Sequence, residues 1–397
     1  VPSGETGDVA PDPVPVADEG PAIGVGTDAA GDHSERELAV ASQWQLTWWA
    51  FKRHKLAVSG LWVIGILYLL SIFAEFVAPF DPSQQNRRAV YHPPQMIHFI
   101  DRGDEGVRLR PYVHEMDRRR DPRTLAVTYE PSGERTYLRL FGKGDEYKFW
   151  GLWTTDRHLL APVDPRDGFY PFGADRLGRD MFSRVIHGTR ISMSIGLVGV
   201  AISLVLGVVL GGLSGYHGGR VDAIIQRLIE FVLSLPTIPI WLALAAALPP
   251  DWPIHQQYFV ITLIVSLVGW TELGRVVRGR FLAMKHEDFV VAARLDGASE
   301  WRIIWRHMLP SLSSHIIASL TLAIPLMILA ETGLSFLGLG LTPPAISWGV
   351  LLKEAQNIVS ISQAPWLFIP GGFVVVAVLA FNFLGDGMRD AADPYGH

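Results

Sequence analysis

The chain has 397 residues and a formal net charge of −5; 49% of its residues are hydrophobic, 18% are charged and none is cysteine. Disulfides, thiol chemistry and cysteine metal sites are therefore excluded, and no basic, aromatic-interleaved platform for nucleic acid is present. Long uncharged apolar runs point to a chain whose core crosses a lipid bilayer.

Residues 1–40 are rich in Gly, Ala, Pro, Asp and Glu and poor in large apolar side chains. That composition predicts a disordered tail, with a regulatory or tethering arm as the functional alternative, and it lacks the basic-then-apolar layout of a signal peptide. Residues 41–82 hold an interfacial helix and a first span. Trp44, Trp48, Trp49 and Phe51 precede Lys52, Arg53, His54 and Lys55, a pattern suited to the inner membrane interface, and Leu56 to Ala74 is long enough to cross. Ala78-Pro79-Phe80-Asp81-Pro82 ends that span on the outer side.

Residues 83–168 form a polar insert. Ile97 to Arg110 reads as two alternating runs around Asp104-Glu105-Gly106, and Leu125 to Tyr129 and Arg135 to Phe141 flank the turn sequence Glu130-Pro131-Ser132-Gly133. Phe149, Trp150 and Trp153 are the expected small core of a mainly β extracytoplasmic module, which without disulfides must rest on that core, the membrane domain or a partner. Contact with a solute receptor, a lid over the entrance and a plain spacer all fit it.

Residues 169–397 read as a five-helix core. In Tyr170 to Gly196, the charges Asp175, Arg176, Arg179, Asp180, Arg184 and Arg190 are interleaved with apolar residues ahead of a span. Ile191 to Tyr216 is the second span; Gly199, Ser203, Gly207, Gly211 and Gly215 recur every fourth residue and give a stripe for close helix packing. Phe231 to Pro250 is the third span, kinked where Pro236 and Pro239 remove backbone donors. Arg227 and Glu230, one turn apart at its inner end, form a local ion pair. Tyr258 to Gly274 is the fourth, cut short by Glu272. The fifth runs from about Ser314 with Pro325 as a second kink, and Ala364 to Leu384 is the sixth. Glu331 lies near the fifth apolar run, where a carboxylate must face protein or water; it is either a residue near the outer gate of a pathway, with Pro236 and Pro325 as further pore candidates, or a buried helix–helix hydrogen-bonding group. Four crossings place residues 285–310 inside, in keeping with the flanking Arg275, Arg278, Arg280 and Lys285. The expected class is an all-α polytopic membrane protein with six transmembrane helices, both termini cytoplasmic, and a small mainly β outer insert.

The polar interruption Asp288 to Pro310 predicts a two-armed elbow. Asp288 caps a first short helix, small Ala292 and Ala293 allow close approach, and Gly297 breaks the helix. Ala298 leads to Ser299, the cap of a second helix that Pro310 closes, while Arg294, Arg302 and Arg306 mark the cytoplasmic side.

Two alanines, a glycine four residues on and Leu-Pro twelve beyond it (Ala292, Ala293, Gly297, Leu309 and Pro310) resemble the EAA loop of ABC importer permeases. Val291 departs from that pattern, which has an acidic residue there. The segments LGRDMFSRVIHGTRIS, GYHGGRVD, ETGLSFLGLG and LGDGMRDAADP, with Ala364-Pro365-Trp366, resemble the oligopeptide and dipeptide branch of that family, across roughly 44 to 395 except the insert. The resemblance implies an inner-membrane subunit working with a second homologous permease, two ATP-binding subunits and an extracytoplasmic solute-binding protein. ATP and Mg would bind on the partners and no cofactor on this chain; peptides are the default cargo, with nickel, oligosaccharides and opines among those of related permeases. The chain carries no phosphate-binding loop, zinc-site spacing or nucleophile elbow, so it is not expected to be a catalyst. A self-contained carrier or channel is the rival reading, and would need intramembrane coupling groups or an inverted repeat; a membrane-anchored receptor or scaffold is a third.

Overall fold

The computed structural model describes residues 43–392, except 104–105, 121, 123–126, 165–166, 250 and 358–361. The predicted disordered tail, Asp104, Glu105, Leu125, Pro250 and the last five residues lie outside the described residues. The fold below is that of the compact unit beginning at Thr47.

Among the described residues, five helices are long and apolar enough to cross a membrane: Lys55–Ile72, Met181–His217, Ile254–Met284, Ile316–Phe336 and the stretch Pro365–Ala391. We number the longer helices α1 (Gln43–Arg53), α2 (Lys55–Ile72), α3 (Met181–His217), α4 (Gly219–Ser234), α5 (Thr237–Ala246), α6 (Ile254–Met284), α7 (Asp288–Leu295), α8 (Ser313–Phe336), α9 (Trp348–Glu354) and α10 (Ile369–Ala392). The α3–α6 pair is the backbone of the bundle, and the small-residue stripe makes it possible. A methyl group on Gly211 would sit 2.4 Å from the Gly274 carbonyl oxygen, and one on Gly215 2.7 Å from that of Arg278. Ser266 Oγ donates to the Gly199 carbonyl at 3.0 Å and Ser203 Oγ to that of Ser266 at 3.2 Å, so the contact is both close and hydrogen-bonded. Ile195, Val200, Ile261, Val265 and Met327 fill the core beside it. On the opposite side α2, α8 and α10 pack around Ile64, Leu67, Ile328, Ala377 and Phe381.

Two expected spans differ from the structure. The fourth is not a short run ending at Gly274 but the continuous 31-residue α6. Glu272 does not interrupt it, because its side chain is exposed and the next turn stays apolar on its inner face through Leu273, Val277 and Phe281. Arg278 is neutralised by Asp222 of α4, with Nε–Oδ1 at 2.5 Å and Nη2–Oδ2 at 2.7 Å. The third span is not one kinked helix. α4 and α5 meet at 85°, a broken span or a re-entrant loop, so the count is five spans, or six if this pair counts as one. Leu235 is extended, as a residue before proline prefers, and Pro236 starts α5 without an N–H to offer. The Arg227–Glu230 pair is present at 2.9 Å.

The insert is mainly β. An antiparallel sheet in the order β1 (His98–Gly103), β2 (Gly106–Arg120), β3 (Val127–Leu140) and β6 (Leu160–Pro162) stands beside a separate hairpin of β4 (Lys143–Phe149) and β5 (Trp153–Arg157). Glu130-Pro131-Ser132-Gly133 is not a reversal. It lies within β3 as a bulge, where pairing shifts between His114↔Arg135 and Met116↔Pro131. Gly133 takes φ 83° there, and Ser132 Oγ donates to the Glu115 carbonyl at 3.1 Å and accepts from Glu134 N at 3.2 Å. Turn chemistry has been used to bend a strand. The core is also not the one expected. Val113, Leu138 and Phe169 form it, with Phe80, Ile97 and Leu160 against them, while Trp150 and Trp153 are exposed.

Candidate functional site

The elbow begins one residue earlier than its sequence suggests. Glu287, not Asp288, holds the extended cap position of α7, and Asp288 occupies the first turn, where its carboxylate still favours the helix N-terminus. At the far end Gly297 adopts φ 75°. Ala298 N donates to the Ala293 carbonyl and Gly297 N to that of Arg294, both at 3.1 Å. This paired closure needs a left-handed residue, which glycine supplies without strain. Ser299 is extended and its Oγ accepts from Arg302 N at 3.4 Å, capping the second arm.

Pro310 does not close that arm. The chain stays helical, passing through a π-helical turn at Ile303–Met308 into Leu309–Ser311 and then α8. A proline ring clashes with the carbonyl four residues back and lacks an N–H; the widened turn just ahead of it accommodates both.

The elbow has two distinct faces. Val290, Ala293, Ile303 and Met308 are buried against Tyr216 of α3 and Phe281 and Met284 of α6, with Ala298 and Leu309 at the edge. Arg294 lies 5.9 Å over the Tyr216 ring, and His217 approaches Glu300 at 3.4 Å. Ala293 is thus occupied within the chain and Ala292 is the exposed alanine. The outer face is apolar: Phe289, Val291, Trp301 and Trp305 are exposed, and Leu295 is 83% exposed. The two tryptophans stack at 6.5 Å. This outer face was missed from the sequence; the available signal was apolar residues on both sides of arms too short to need them.

Glu331 is enclosed, with 0% exposure. It accepts from Ser347 Oγ at 2.7 Å and Ser335 Oγ at 2.8 Å, with Ser192 Oγ at 3.5 Å. Those hydroxyls accept in turn from Val350 N, Leu341 N and Trp348 N. The node ties α3, α8 and the start of α9 together, the arrangement a buried carboxylate requires. Pro325 is buried inside α8, whereas Pro236 is exposed at the α4–α5 bend. The structure does not bring these three together with the elbow. Among the described residues, no three or more His, Cys, Asp or Glu side chains are grouped to hold a metal.

Arg176 is exposed, and the other charges of the lead-in segment are engaged within the chain. Asp175 and Arg184 are buried in mutual contact, Arg179 Nε reaches Asp175 Oδ2 at 2.6 Å, and Glu354 of α9 completes the set through Arg179 Nη2 at 2.6 Å and Arg184 Nη1 at 3.2 Å. Asp180 caps α3, accepting from Ser183 N at 2.7 Å; burial pushes its carboxyl up to about 7 against those hydrogen bonds. Arg190 grips Glu75 with two bonds of 2.6 and 2.7 Å. Glu354 had no sequence signal, since its partners lie some 170 residues away.

Residues 207–395 match the model of the binding-protein-dependent transport system inner membrane component family, and residues 42–94 that of the N-terminal TM domain of oligopeptide transport permease C. The dipeptide transport system permease protein DppC of Lactococcus lactis is 33% identical over 375 residues, 92% of this chain and 94% of that protein. The oligopeptide transport system permease protein OppC of Bacillus subtilis is 35% identical over 238 residues, 60% of this chain and 75% of that one. The same organism's DppC is 40% identical over 227 residues, covering 56% and 68%. Among solved structures, a chain of the inward-facing MetNI methionine ABC transporter aligns at TM-score 0.42 and 14% identity, over 54% of this chain and 98% of that one. With a near full-length relative at this identity, the chain belongs to the binding-protein-dependent transport system inner membrane component family, in its oligopeptide and dipeptide permease group.

Proposed function

We propose that this chain is one of two permease subunits lining the pathway of an ATP-driven importer for peptides or similar small solutes. It sits in the inner membrane with both termini cytoplasmic and the β insert outside. A second, homologous permease completes the pathway, an extracytoplasmic solute-binding protein delivers the cargo, and two partner subunits bind ATP and Mg. This chain hydrolyses nothing and works by changing shape. The observation that carries the reading is the two-faced elbow at 285–310. Its inner face is clamped to the ends of α3 and α6, so a displacement imposed on its apolar outer face is transmitted to two packed spans rather than absorbed locally.

Val291 stands where the family pattern has an acid, so the grip on the ATPase here is apolar rather than ionic. The test is co-expression with the partner ATPases. Gly297→Glu, or deletion of Ala292 to Ala298, is expected to abolish their co-purification while the chain still inserts in the membrane. Full ATPase recovery with either variant would remove the elbow from its assigned role. Solute uptake by the purified chain alone in vesicles would remove the importer reading in favour of a self-contained carrier.

A further inference from the structure

The β4–β5 hairpin has a tip that is wrong for water. Leu152 is 75% exposed and Trp153 57%, with Trp150 beside them. The tip is nevertheless fastened. Trp150 Nε1 donates to the Ile72 carbonyl at 3.0 Å, occupying a carbonyl that the end of α2 leaves free. Phe149 stacks on Trp153 at 5.4 Å and meets Phe73 at 5.9 Å. Arg190 lies 4.6 Å over the Trp150 ring while bound to Glu75, so the ring cannot swing inward.

What lies next to this tip decides its partner. Trp62, Ile66 and Leu69 of α2 and Phe73 just beyond its end are exposed and recur at helical spacing as one outward stripe. On a span, such a stripe faces lipid. It runs without a break to Ile72 and Phe73, where the hairpin tip is attached, at the end of α2 remote from Lys52, Arg53 and Lys55. Tryptophans with an apolar body and a polar edge concentrate at this depth, the boundary between head groups and acyl chains. We propose that the tip of the β4–β5 hairpin is buried in the lipid head-group boundary and anchors the insert to the membrane surface beside α2. The insert is then held from two sides: by its protein core at Phe80 and Phe169, and by lipid at the hairpin.

Because the chain has no cysteine, a single introduced thiol labels one position. Full-length protein carrying Leu152→Cys or, separately, Trp153→Cys is labelled with an environment-sensitive fluorophore and reconstituted into phosphatidylcholine–phosphatidylglycerol vesicles. The acyl chains are brominated either near the head group or near their ends. Both probes are expected to emit blue-shifted and to be quenched more by the shallow bromines than by the deep ones. A probe at Glu134→Cys, exposed on the β3 bulge, is expected to emit as in water and escape quenching. Water-like, unquenched emission at both tip positions would overturn the proposal. So would blue-shifted emission that neither lipid quenches, because protein would then cover the tip. Using two positions guards against one substitution failing to fold, with the size-exclusion profile in detergent as the check.

Discussion

The lead-in segment and the elbow are both polar-looking interruptions of an apolar chain, yet they are built in opposite senses. Around Asp175, Arg179, Arg184 and Glu354 the charges point inward and are matched to one another, leaving little for a partner to bind. In the elbow, charged residues stay outside but so do Phe289, Leu295, Trp301 and Trp305, while smaller apolar groups are buried. Buried polar groups and exposed large apolar ones are the informative departures from the usual partition. Here the first marks a structural joint and the second is the docking surface proposed above. The contrast implies that substitutions in the lead-in segment act on folding, and those on the elbow's outer face act on assembly.

The largest expected effect is therefore at Arg184. Replacing Arg184→Met removes a cation from a site where Asp175 is fully buried, and breaking such a pair from one side costs roughly 3–5 kcal/mol. The expected outcome is loss of monodisperse protein in detergent, measured by size exclusion, with little folded material left on which to measure ATPase binding.

Next in size is a pH effect from the same end of the molecule. His92 is buried between Tyr129 and Tyr170, with ring distances of 4.9 and 4.7 Å, and its Nδ1–H donates to the Pro93 carbonyl at 2.7 Å. Burial lowers it from 6.5 to about 4. Between those values the unfolded chain binds the extra proton, so this contribution is complete above pH 6.5 and is lost as pH falls toward 4, by ~3 kcal/mol at most. Asp180, raised from 3.8 to about 7, has the opposite sign: its folded form binds the extra proton and loses stability as pH rises through that window. Comparing wild type with His92→Phe cancels the Asp180 contribution. The thermal midpoint of the wild type is expected to fall relative to that of the variant on acidification from pH 7 to about 5.

Between the two regions lies the α3–α6 contact. Gly211→Val would force a side chain into the Gly274 backbone, 2.4 Å away at the first carbon, and overpacking of this kind costs about 1–3 kcal/mol. A lower thermal midpoint is expected, together with weaker transmission from elbow to bundle, read as ATP hydrolysis no longer stimulated by solute-loaded receptor.

How far these features could be read in advance depended on whether their cause was local. The glycine stripe of α3, the Gly297 break and the Ser299 cap are local, set by backbone freedom and side-chain reach, and the structure has them. The end of the fourth span was misplaced because Glu272 reads as a stop in isolation, while the structure simply turns it outward and pairs Arg278 with Asp222 from α4. Glu130-Pro131-Ser132-Gly133 became a bulge because β2 continues to Arg120 alongside it, and strand pairing overrode turn propensity. Trp150 and Trp153 left the core for the same kind of reason. Aromatic residues are sought by cores and by membrane interfaces alike, and only the position of α2 distinguishes the two.

The smallest expected effect on stability is also the most discriminating. Leu295 lies at the end of α7 on the outer face, 83% exposed, and belongs to none of the buried clusters. Leu295→Ser should change the thermal midpoint of the isolated chain hardly at all, within about 0.5 kcal/mol, because its side chain is exposed and the bonds that close α7 are made by the backbone. If the outer face is a docking surface, the same substitution removes an apolar anchor of the kind that dominates binding at an interface. ATPase recovery should then fall severalfold, and raising the salt concentration should not reproduce the loss, because the contact is apolar rather than ionic. Unchanged recovery would mean that the partner grips the elbow elsewhere. A midpoint shift as large as that of Gly211→Val would mean that Leu295 supports the fold, and the division between the two regions would lose its clearest case.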